Sequence, residues 1–170
     1  MKNNKGFTLI ELMIAIAIIG ILALVLIPKV GGMKSQAKLA GIDTNLRIAM
    51  SAIEGIINDY DADAAGAAAL RTNITTRLAT NNTAKDIKNP ITGFTGVVGA
   101  TPVNGNAAFA YAATDSTTAE ITAPADNANM KGVIYFQTWA NASTGELNVT
   151  LFAYDDNGNY MAGKKKVVTK

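Results

Sequence analysis

An apolar run from Phe7 to Ile27, FTLIELMIAIAIIGILALVLI, carries one formal charge, the carboxylate of Glu11. At about 1.5 Å of rise per residue, a helix over this run is about 32 Å long, enough to cross a hydrocarbon core of about 30 Å. An acid placed this near the start of such a span costs about 2–3 kcal/mol, and chains rarely carry one unless it meets a partner. The run therefore reads as a helix that enters a membrane, with Glu11 as its functional residue. A short basic leader, MKNNKG, precedes it, and Pro28 closes it.

A conventional secretory signal fits poorly. Such signals have an apolar core of about 7–15 residues and a small-x-small cleavage site on its far side. Here the run is longer, and its Ala-x-Ala, Ala15 to Ala17, lies inside the apolar core. Lysines flank both ends, Lys2 and Lys5 before and Lys29, Lys34 and Lys38 after, so counting them leaves the orientation open.

The string Gly6-Phe7-Thr8-Leu9-Ile10-Glu11-Leu12 closely resembles the processing site of type IV pilins and their pseudopilin relatives. The resemblance is specific from Met1 to about Pro28 and looser beyond. It implies cleavage between Gly6 and Phe7 by a prepilin peptidase on the cytoplasmic face, followed by N-methylation of Phe7. It also implies a single-pass precursor in the cytoplasmic (inner) membrane, its N-terminus inside. A platform and ATPase machinery would then draw this precursor into an extracellular pilus. Among family members the chain is most like a cysteine-free major pilin, with a minor pilin or a pseudopilin of a secretion or DNA-uptake system as the alternative.

The same residues have a physical reading. Cleavage leaves an ammonium on Phe7, with Glu11 one helical turn further on, so two opposite charges sit at one end of an apolar rod. Each is costly to bury alone and tolerable when paired. In a bundle of parallel rods, Glu11 of an arriving copy meets the Phe7 amine of one already in place, which fixes axial register because other offsets strand both charges. Gly20 and Pro28 weaken the helix between them, through backbone entropy and through a missing donor with a ring clash. The resemblance implies that this segment unwinds in some filaments; a simple kink serves as well.

Beyond Pro28 the apolar pattern becomes amphipathic. Leu39, Ile42, Leu46, Ala49, Ile53, Ile57 and Tyr60 recur at spacings of three or four, which predicts one helix continuing to about Tyr60 with a stripe that packs under a sheet. Leu70, Ile74 and Leu78 predict a short second helix, followed by loop punctuation from Lys85 to Asn106. Strand signals occupy 107–113, 119–123, 132–140 and 146–154, with a return strand after Asn157-Gly158. The expected fold is α+β: a long N-terminal helix under an antiparallel sheet of about four strands. The expected segments are 1–6 leader, 7–28 membrane or filament-core helix, 29–60 amphipathic half, 61–106 variable connection and 107–170 sheet and C-terminal region.

Other chemistry is sparse. Asp155, Asp156 and Asn157, with Asn159, place oxygen donors in one loop and are weak calcium candidates. They lack a distant bidentate glutamate, so a turn is the stronger reading and no metal or cofactor is expected. Lys164 to Lys166 with Lys170 form a basic tail; contact with nucleic acid is conceivable, but a solvated sheet edge explains it better. With neither histidine nor cysteine in the chain, imidazole and thiol catalysis are excluded, and no enzyme is expected. The chain has 15 basic and 13 acidic side chains, and removing Lys2 and Lys5 would balance them. A near-neutral subunit suits dense homo-oligomeric assembly.

Overall fold

A computed structural model describes residues 6–80, 87–99, 107–112, 119–120 and 122–170. The chain divides into two compact units, the first ending at Ala37 and the second comprising Lys38–Lys170. Helix α1 (Leu9–Glu54) contributes to both.

In the first unit, the window Leu9–Leu26 has a mean hydropathy of 3.0 and none of it is buried. Phe7, Leu9, Met13 and Ile19 are all open to their surroundings. A helix that is apolar on every side cannot satisfy itself in water and needs lipid or other helices around it. The backbone is helical through Gly20 and Pro28.

The second unit is α+β. Its share of α1 buries Ile42, Leu46, Ala49 and Ile53, four positions of the expected stripe, while Leu39 stays partly exposed. The helix stops at Glu54, short of the expected Tyr60, and Gly55 follows it. Ile57–Asp59 then form a 3-10 turn that still buries Ile57. Helix α2 (Ala64–Thr80) is longer than the expected short helix. It starts where Asp63 Oδ1 accepts the Gly66 N–H at 2.6 Å, a side-chain cap for an otherwise orphaned donor. Leu70, Ile74 and Leu78 are all buried, with Ala67 on the same face.

Five strands follow: β1 (Val97–Gly99), β2 (Phe109–Tyr111), β3 (Ile134–Asn141), β4 (Glu146–Ala153) and β5 (Lys166–Thr169), hydrogen-bonded in that order. β3–β4 and β4–β5 are antiparallel, whereas β1–β2 and β2–β3 are parallel. This corrects the expectation of four antiparallel strands. β1 lies in the stretch read as loop, and at 119–123 the described residues form no strand. The long connection from β2 to β3 is what permits parallel pairing, since antiparallel neighbours need only a tight turn.

Strand alternation gives the sheet two covered faces. Ile134, Phe136, Ala140, Leu147, Val149 and Leu151 pack with the buried residues of α1 and α2 in the main core. Tyr135, Phe152 and Tyr154 point the other way and pack with Met130, Val133 and Ala110 in a second core. The chain ahead of β3 roofs that second core. There the Tyr154 hydroxyl donates to the Pro124 carbonyl at 2.6 Å, and Asp126 Oδ1 accepts the Tyr160 N–H at 2.7 Å.

Candidate assembly site

Gly6 and Phe7 lie ahead of the first helical turn and are exposed. Thr8 precedes α1, and its N–H and Oγ1 donate to Glu11 Oε2 at 2.9 Å and 2.7 Å. In return, the Glu11 N–H donates to Thr8 Oγ1 at 3.3 Å. This reciprocal capping box satisfies two of the donors that a helix start leaves open.

The box changes how Glu11 is understood. Within one chain the carboxylate is held in place at the helix mouth, and Oε2 carries both donors. Oε1 has no hydrogen-bond donor among the described residues. The backbone nitrogen of Phe7 is one residue from this cap. Thr8 lies outside the expected site residues, although Thr-x-x-Glu ahead of an apolar run is a legible capping signature.

Gly20 and Pro28 fall within α1. Asp155, Asp156 and Asn157 belong to the second unit, in the turn between β4 and the 3-10 segment Ala162–Lys164. Asp155 Oδ1 accepts the N–H groups of Asn157 and Asn159 at 2.8 Å and 2.9 Å, and Oδ2 accepts Asn159 Nδ2 at 3.1 Å. Part-burial raises the Asp155 pKa, but these amide donors outweigh it and hold the carboxyl below its ordinary value. Both oxygens are thus committed to closing a turn. Among the described residues, no group of three or more acidic side chains is placed to hold a metal.

The basic tail is largely engaged. Lys164 pairs with Asp43 at 2.7 Å and Lys165 with Glu120 at 2.8 Å, while Lys170 donates to the carbonyls of Asn58 and Tyr60 at 3.0 Å and 2.5 Å.

The family described as "Prokaryotic N-terminal methylation motif" matches residues 1–27. The chain carries that motif, and type IV major pilins are among the proteins it is similar to. It is 43% identical over 59 residues to the type IV major pilin protein PilA of Myxococcus xanthus, covering 35% of this chain and 27% of that one. It is 62% identical over 37 residues to the type IV wide pilus major component PilA4 of Thermus thermophilus, covering 22% and 28%. It is also 35% identical over 63 residues to the type II secretion system core protein G of Klebsiella pneumoniae, covering 37% and 42%. The chain thus spans well under half the length of these relatives. No solved structure matches it.

Proposed function

We propose that the chain is the structural subunit of a type IV pilus, cut between Gly6 and Phe7, methylated at Phe7 and polymerised through the apolar part of α1. The observation that carries this reading is the single carboxylate of an otherwise apolar 21-residue run, held by Thr8 at the helix start with one oxygen still open. Phe7 and Glu11 are the assembly pair: the new ammonium of one copy neutralises the carboxylate of the next. Before assembly the processed chain resides in the cytoplasmic membrane, and assembly moves it to the cell surface. Prepilin peptidase and a platform with its ATPase are the partners, and Gly20 and Pro28 supply the weak stretch of the rod. The likeness to two major pilins favours a pilus over the short filament of a secretion system, which the secretion relative keeps as a second reading.

Mass analysis of sheared surface filaments tests this proposal. The expected result is an abundant chain starting at methylated Phe7. Filaments lacking the chain, or containing it with the leader attached, overturn it; a trace amount points to a minor pilin.

A further inference from the structure

Resting on the filament reading, we infer that a basic groove in the second unit receives the acidic turn between α1 and α2 of another copy. Leu46 and Met50 line the groove, and Asp43, Arg47, Lys164 and Lys166 complete it. Asp43 is taken by Lys164 at 2.7 Å. Arg47 and Lys166 are exposed and make no ion pair among the described residues. The groove thus combines an apolar lining with two uncompensated cations.

The complementary surface is on the same chain. Glu54, Asp59 and Asp61 are exposed around the end of α1 and make no ion pair among the described residues. Asp63 is committed to capping α2, and the nearby Lys170 ammonium donates to the carbonyls of Asn58 and Tyr60. The turn therefore keeps an acidic excess.

Spacing prevents these charges from meeting within one helix. Arg47 and Glu54 are seven residues apart, two turns and about 10 Å along the axis, on nearly the same face, whereas helical ion pairs form at three or four residues. A parallel copy displaced by about two turns brings the Glu54 end of one chain level with Arg47 of the other. In the Phe7–Glu11 pair, too, the acid follows the base in the sequence. Both pairs therefore call for displacement in the same sense. The contact joins two different patches, so it is heterologous and repeats without closing, as a filament requires. Exposed charge pairs of this kind select register and orientation more than they supply affinity. Duplex nucleic acid is a poorer occupant, because binding it takes a longer series of free cations along its phosphates.

The absence of cysteine makes the test direct. Full-length Lys166→Cys and Asp61→Cys chains are co-expressed, and sheared filaments are oxidised and run without reductant. Disulfide-linked dimers are expected in mixed filaments and not in filaments of either variant alone. In a second arm, Arg47→Glu should lower filament yield at least tenfold, and Arg47→Glu with Glu54→Lys, which reverses both members of the pair, should restore it. Mixed filaments without dimers, unchanged yield for Arg47→Glu, or no rescue by the double exchange each overturn the inference. So does binding of duplex DNA that depends on Arg47 and Lys166 in filaments that give no dimers. If surface filaments contain none of this chain, the filament reading itself fails and the inference falls with it; filaments without the cross-link sink the inference alone.

Discussion

Asn89 donates from Nδ2 to the carbonyl of Lys131 at 2.7 Å, across 42 positions of sequence. The same nitrogen donates to the Ala107 carbonyl at 2.9 Å, while Oδ1 accepts the N–H groups of Ile91 and Thr92 at 2.9 Å and 3.2 Å. One buried amide thus ties the loop after α2 to the approaches of β2 and β3. Replacing Asn89 by Ala strands buried backbone groups on three segments, at about 1–3 kcal/mol for each that water cannot reach. The expected loss is about 2–4 kcal/mol, read as a lower urea midpoint of the full chain in detergent. An unchanged midpoint would mean that water replaces the amide without cost.

Gly132 stands beside that clamp with φ +67°, and a Cβ there would collide with Asn89 Oδ1 and Ile91 Cγ1. Gly132→Ala combines left-handed strain with a clash and should cost more than about 1 kcal/mol. If the clamp and the glycine act as one unit, Gly132→Ala in an Asn89→Ala background costs clearly less than it does alone. Additive losses in denaturation would separate the two.

Thr138 is 2% exposed on β3, and its Oγ1 has no hydrogen-bond partner among the described residues. Burying a hydroxyl without a partner is unfavourable, and valine has nearly the same shape without the polar atom. Thr138→Val should therefore raise stability by about 1 kcal/mol, visible as a higher urea midpoint with unchanged slope. A drop would reveal a water bonded to that oxygen.

The parts of the fold legible in the sequence are those governed by local periodicity and length. Ile42, Leu46, Ala49 and Ile53 announce a buried stripe, and Leu70, Ile74 and Leu78 announce α2. Enrichment in branched and aromatic residues announces β3 and β4. Sheet order was not legible, because which edge a strand joins is decided by side chains far away in sequence. Val97–Gly99 sits among turn residues and becomes β1 by pairing parallel with β2. Residues 119–123 have strand composition, yet Ala119 spends its carbonyl on the Gln137 side chain, and Glu120 takes Thr150 Oγ1 and Lys165. In the candidate assembly site, Glu11 stands out as a charge in an apolar field. Thr8 does not, because a hydroxyl near a helix start is common and its role depends on the residue three positions on.

Asp155 gives a pH test with a definite sign. Its folded-state pKa is depressed, so its contribution is fully present above the unfolded value of about 3.9 and is lost as pH falls through the lower folded value. Asp155→Asn keeps an acceptor oxygen for the turn but removes the charge. Wild type should therefore exceed the variant in stability at neutral pH, with the gap closing below about pH 4. A gap independent of pH would show that the charge plays no part, and a calcium-dependent rise confined to wild type would revive the ion-binding reading.

Glu11 presents two separable properties, a cap acceptor and a negative charge, and the Thr8 box allows them to be tested apart. Glu11→Ala removes both and eases insertion of the span by about 2–3 kcal/mol, so the chain should reach the membrane in full while filaments disappear. Glu11→Gln retains an oxygen that can accept from Thr8 and loses the charge; if register depends on neutralising the Phe7 ammonium, it fails as completely as Glu11→Ala. Thr8→Val keeps the charge and weakens the cap by about 1 kcal/mol, and filaments should persist at reduced yield. Electron microscopy of sheared material, with membrane fractions blotted in parallel, distinguishes the outcomes. Abundant filaments from Glu11→Gln, with none from Thr8→Val, would assign the site to helix capping and remove charge pairing from the assembly step.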